Sequence, residues 1–84
     1  MRFKPLGTME RVQQATADFF GVTVRDLKSD RRDAKVVRAR HVAMFLCRTD
    51  LSMTFEQIGR AFGNRDHTTI VYGCRKIEKE LARP

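Results

Sequence analysis

Thr54-Phe55-Glu56-Gln57-Ile58-Gly59-Arg60-Ala61-Phe62-Gly63-Asn64-Arg65-Asp66-His67-Thr68-Thr69-Ile70 holds the end of one helix and the start of another within a few residues. Thr54 and Gln57 stand at capping-box spacing. The hydroxyl accepts a backbone N–H one turn in, and the Gln side chain reaches back to the cap, so a short helix opens here and runs to Phe62. Gly63 stops it, and Asn64-Arg65-Asp66 turn the chain. Ile70, Cys74, Ile77 and Leu81 then recur at helical spacing through a second helix of about 66 to 82, which leaves Arg75, Lys76 and Lys79 toward solvent. Two capped helices joined by three or four residues that begin with glycine have the helix-turn-helix layout.

Upstream, Thr8 reads as the N-cap of a helix to about Phe20, with Met9, Val12, Thr16 and Phe19 along one face and Gly21 as its C-cap. Val22-Thr23-Val24-Arg25-Asp26-Leu27 has some strand character. Thr23 and Asp26 at capping-box spacing favour one short helical turn with Val24 and Leu27 inward, and no second strand exists to pair with it. Lys28 to Lys35 is charged and non-periodic, a loop. Ala39, Val42, Ala43 and Leu46 follow i, i+3, i+4, i+7 through a helix of about 36 to 49, the expected centre of the core. The fold class is all-α, a small helical domain with a helix-turn-helix motif. Residues 1 to 7 are expected to form a mobile start and residues 8 to 84 the domain.

The whole chain sets bounds on function. Eighty-four residues make one small domain, too short for a large enzyme core. Seventeen basic against ten acidic residues give a net charge of +7 and pI ≈ 10.3, which calls for a polyanionic partner, nucleic acid or an acidic membrane surface. No apolar run approaches the roughly 18 residues that span a bilayer, and no signal-peptide pattern follows Met1, so a soluble, cytoplasmic protein is expected. Cys47 and Cys74 lack CxxC spacing and read as buried thiols inside helices. His41 with Cys47, and His67 with Cys74, are poorly spaced for shared tetrahedral zinc. No catalytic residue, metal or cofactor is therefore assigned.

Charge is concentrated in two places. Between Arg25 and Arg40 seven basic residues face three acids, so sixteen residues carry +4 of the +7. This segment is either a solvated loop and helix face or a strip that straddles a phosphate backbone. In the second case Arg31-Arg32 enter a narrow minor groove, and Arg38 and Arg40 lie near a helix N-terminus that adds to phosphate attraction. The other cluster is Arg65-Asp66-His67-Thr68-Thr69, where a helix-turn-helix offers side chains to the major groove. Asp66 suits a cytosine amino group, His67 donates or accepts, and Thr68 and Thr69 bring a hydroxyl and a methyl suited to thymine. The plainer reading has Asp66 capping its helix and His67 as an ordinary surface residue.

The run Ile58-Gly59-Arg60-Ala61-Phe62-Gly63-Asn64-Arg65-Asp66-His67-Thr68-Thr69-Ile70 resembles the signature I-G-x-x-F-G-x-R-D-H-[ST]-T of the C-terminal DNA-binding domain of DnaA, the family of bacterial chromosomal replication initiators. The resemblance extends over about residues 8 to 82, including Arg31-Arg32 and Arg38-x-Arg40. It implies a Trp-repressor-like helix-turn-helix, and double-stranded DNA carrying a short asymmetric TTATCCACA-like origin element as partner. Asp66, His67, Thr68 and Thr69 would contact bases in the major groove and Arg32 in the minor groove. Lys35, Arg38, Arg40, His41 and Arg65 would contact the DNA backbone, Arg40, Lys35 and Arg65 mainly anchoring phosphates or bracing the motif. The resemblance also implies an ATPase module in the same native chain, though no GxxxxGK[ST] occurs in this sequence and ATP binding is not expected of it.

Departures from the family pattern are Ala39 where Pro is common, His41 where Gln is common, and Asp30 and Asp33 within a loop that is usually more uniformly basic. Phe55-Glu56 replaces a common Leu-Pro, and Glu56 is given no phosphate contact. The competing reading is a basic helical module that binds acidic phospholipid, the secondary partner, or another protein. Neither gives the Asp66 to Thr69 group anything to do.

Overall fold

A computed structural model describes residues 7–83 as five helices: α1 (Met9–Phe20), α2 (Val24–Lys28), α3 (Ala34–Asp50), α4 (Phe55–Ala61) and α5 (His67–Leu81). Apart from Gly7, the mobile start expected over residues 1 to 7 lies outside the described residues. No strand occurs among them, and the Val22–Leu27 segment is the short helical turn that its capping box implied. Thr23 Oγ1 accepts from Asp26 N at 3.0 Å, and Thr23 N donates back to Asp26 Oδ2 at 3.1 Å. Thr54 and Gln57 make the same reciprocal pair at the start of α4.

α3 packs against all four other helices. Val36, Ala39, Ala43, Met44 and Cys47 are buried along it, and the last four join one core with Val12 and Ala17 of α1, Leu27 of α2, Ile58 of α4, and Ile70 and Cys74 of α5. The small side chains at 39 and 43 allow the neighbouring helices to approach closely. Cys47 and Cys74 are free, buried thiols; desolvation pushes Cys47 up to about 12 and Cys74 upward as well, so both stay protonated.

Two expectations are corrected. Phe19, placed by periodicity on the inner face of α1, is 83% exposed. The buried stripe runs through Val12, Gln13, Thr16 and Ala17, so the contact line follows i, i+4 and passes Phe19 by, leaving its ring edge-on to Phe20 at 5.2 Å. Gln13 is polar yet 1% exposed, because its Nε2 donates to the Ala61 carbonyl at 3.0 Å and ties α1 to the end of α4. α3 also begins two residues earlier than expected, at Ala34, with Asp33 in the N-cap position but no side-chain capping bond. Lys35 therefore belongs to the first helical turn rather than to the loop.

Candidate nucleic-acid interface

α4, the turn and α5 form the helix-turn-helix. Phe62 anchors the turn with a fully buried ring, and Gly63 follows at φ +88°, where a side chain is strained. A Cβ on Gly63 would also overlap the Lys28 carbonyl oxygen, and one on Gly59 would overlap the Arg65 carbonyl oxygen. The turn is thus pressed against the last turn of α2, from which the basic loop departs.

Two arginines fasten that loop. Arg40 is 5% exposed; its Nε donates to Leu27 O at 2.9 Å, and one terminal nitrogen donates to the carbonyls of Asp26, Ser29 and Arg31 at 3.0 to 3.2 Å. It closes the carbonyl end of α2 and fixes the course of residues 29 to 31. Arg65, from the helix-turn-helix, donates to the same Ser29 carbonyl, with its Nε buried and unpartnered. Desolvation, and after it the nearby Arg65 charge, lower the pKa of Arg40. Of the two roles expected of Arg40, anchoring phosphates or bracing the motif, its guanidinium enclosed by carbonyls fits the brace. Arg65 is partly buried and braces likewise.

The loop's own charges divide unequally. Arg31 forms a two-point ion pair with Asp33, at 3.1 and 3.0 Å, and a further one with Asp26 at 3.1 Å, which raise its pKa; Asp26 is held low first by the Thr23 N–H that it accepts and then by Arg31. Arg32 and Lys35 are exposed with no hydrogen bond or ion pair to any described residue. Of the pair Arg31-Arg32, only Arg32 has a free guanidinium.

At the start of α5, Asp66 Oδ2 accepts from Thr68 N at 3.2 Å and from the Thr68 hydroxyl, and these bonds hold the carboxyl below its usual range. Asp66 is therefore an N-cap, while Oδ1 points toward His67 Nδ1 at 4.0 Å. Asp66, His67, Thr68 and Thr69 are all exposed on one turn. Glu56, Arg60, Asn64, Arg65, Asp66 and His67 line one shallow concavity. Arg60 and Asn64 occupy the variable positions of the signature, so the sequence carries no signal for them, and only their place in this concavity brings them to the site.

Two of the expected backbone contacts lie elsewhere. Arg38 is ion-paired to Glu80, fourteen residues and about 21 Å along α5 from Asp66. His41 is half-buried, edge-on to Tyr72 at 6.1 Å. Arg65 thus joins the helix-turn-helix to the loop that carries Arg32, next to the Asp66 to Thr69 turn, whereas Arg38 and His41 lie on the side of α5 that carries Tyr72 and Glu80.

Fold and site together define a helix-turn-helix domain whose exposed recognition turn is bolted to a basic loop. A family profile described as the bacterial dnaA protein helix-turn-helix matches residues 9–77. The chain is 41% identical over 75 residues to the chromosomal replication initiator protein DnaA of Treponema denticola, covering 89% of this chain and 16% of that protein. It is 41% identical over 76 residues to that of Geobacter sulfurreducens, covering 90% and 17%. A crystal structure of a DNA replication initiation factor superposes with a TM-score of 0.83 at 36% identity, over 89% of this chain and 23% of the other. The chain belongs to the family of C-terminal helix-turn-helix domains of bacterial DnaA, and spans about one sixth of the length of the DnaA relatives it matches.

Proposed function

We propose that this domain binds double-stranded DNA sequence-specifically in replication initiation, at a short asymmetric TTATCCACA-like element. The first turn of α5 enters the major groove, where His67, Thr68, Thr69 and the Oδ1 of Asp66 meet base edges. Arg32 reaches the adjacent minor groove, and Lys35 contacts phosphate. The observation that carries the reading is the double hold of Arg40 and Arg65 on the Ser29 carbonyl, which ties the loop carrying the unpaired Arg32 to the helix-turn-helix. A loop probe and a helix probe joined in one domain suit a single asymmetric site without a dimer. Origin recognition is the part of initiation that this chain supplies; nucleotide hydrolysis would belong to another module, since its sequence contains no P-loop.

The test is a binding titration at physiological salt with a TTATCCACA duplex and a scrambled duplex of equal length. A gap of about 10³-fold or more is expected of a specific reader, and equal affinities would overturn the proposal. Arg32→Ala is expected to lose discrimination at the TTAT end, where A·T-rich steps narrow the minor groove, and to keep it at the CACA end. An equal loss on every duplex would reduce Arg32 to part of the general electrostatic face.

A further inference from the structure

Behind its reading turn, α5 presents a second charged face. Tyr72, Arg75, Lys76, Lys79, Glu80 and Arg83 line one elongated groove. Glu80 is neutralised by Arg38. The four cationic side chains have no hydrogen bond or ion pair among the described residues. Lys76 and Arg83 also feel the Glu80 carboxylate at longer range, so four cations and one ion-paired acid surround one aromatic ring that is 63% exposed. The ring is also held: His41 meets it edge-on at an interplanar angle of 78°. α3 comes close enough for this because residue 73 is glycine, where a Cβ would overlap His41 and Met44.

We propose that this face is a binding surface for single-stranded nucleic acid, with an unpaired base stacked on Tyr72 and the backbone phosphates tracked by Arg75, Lys76, Lys79 and Arg83. A fixed exposed ring among mobile cations is the combination that single strands use, because every base has a π-face while a duplex keeps its bases stacked inward. An anionic membrane would use the charges but needs a contiguous apolar strip. Here the only large apolar group on the face is one ring, and the other exposed large hydrophobic side chain of α5, Leu81, lies nine residues and half a turn around the helix from it. The surface is also separate from the duplex-reading end. Arg75 to Arg83 lie about 13 to 25 Å up the axis from Asp66, beyond the roughly 8.5 Å depth of a major groove.

Tyr72 is the only tyrosine and the chain has no tryptophan, so intrinsic emission reports this ring directly. The 84-residue chain is titrated with a twelve-nucleotide oligothymidylate, with the TTATCCACA duplex, and with phosphatidylglycerol vesicles. Expected results are quenching of tyrosine emission by the oligothymidylate and a log–log salt slope near −3, about 0.7 per cation engaged. Tyr72→Ala should weaken oligothymidylate binding about tenfold with helical circular dichroism and duplex affinity unchanged, and Tyr72→Phe should keep the binding. Unquenched emission, an unaffected Tyr72→Ala, complete displacement of the oligothymidylate by the duplex, or binding to vesicles alone would each overturn the proposal.

Discussion

Asp66 places two demands on one carboxylate, and its two oxygens separate them. Oδ2 is engaged by the backbone and hydroxyl of Thr68, while Oδ1 faces His67 Nδ1 at 4.0 Å. Asp66→Ala is expected to cost about 1 kcal/mol of stability through the lost cap and a further 1 to 3 kcal/mol of binding on the cognate box alone. Asp66→Ser should restore the stability, read by urea unfolding, without restoring box preference; recovery of both would make Asp66 a cap and nothing more. Arg40 is the opposite case, a cation whose work is internal. Its removal strips the donor from the Leu27 and Arg31 carbonyls and weakens the hold on Asp26 and Ser29, so Arg40→Ala should lower stability by about 2 to 4 kcal/mol, and Arg40→Lys should recover little because one ammonium cannot match the fork. Weaker DNA binding by these variants should follow the unfolded fraction at each urea concentration and leave the salt slope of the folded protein unchanged.

At the scale of elements, the junction between α2 and the helix-turn-helix turn decides where the site can form. Gly21 and Gly63 both sit at positive φ, +72° and +88°, yet their surroundings differ. A Cβ at 21 meets nothing within 4 Å, whereas one at 63 runs into the backbone of Lys28. Gly21→Ala should therefore cost about 1 kcal/mol, the left-handed penalty alone. Gly63→Ala should cost about 3 kcal/mol or more, since backbone must move against backbone. In thermal melts Gly63→Ala should fall by a visibly larger margin, and equal losses would mean that the two segments are not in firm contact. The capping boxes at Thr23 and Thr54 and the Gly21 C-cap were legible because they are local chemistry. The inner face of α1 was not, since 12, 16, 19 and 12, 16, 17 are equally good helical stripes until a neighbour selects one.

For the whole molecule, the titration behaviour follows from how a basic chain packs. His41 is held below its usual value first by desolvation and then by Arg40, Lys76, Arg38 and Arg65; the one acid at that face, Glu80, is paired to Arg38. Between the folded value and about 6.5 the unfolded chain binds more protons than the native one, so stability falls as pH drops from about 7 through that window. His41→Gln should flatten this slope in urea midpoints measured between pH 7.5 and 5.5. Asp26, Asp66 and Glu80 are all shifted downward, so their contributions hold above the ordinary carboxylate range and vanish only as pH falls through their lower folded values. A slope that begins only in the acid range would assign the whole effect to the carboxylates.

Helix order, the turn at Gly63 and the exposed Asp66 to Thr69 group were determined by the sequence itself, because caps, glycine breaks and apolar spacing act over three or four residues. The long Ile58 to Ile70 signature also sufficed to mark the family. What the arginines do was decided only by the tertiary structure. Arg31, Arg32, Arg38 and Arg40 of the basic run and Arg65 of the second cluster are the same residue type, yet one is paired beside its loop, one is free, one is tied to the far end of α5 and two hold the loop from inside. A guanidinium's role depends on which acceptors lie within about 3 Å, and those acceptors are backbone carbonyls and carboxylates brought there by segments up to 42 positions away.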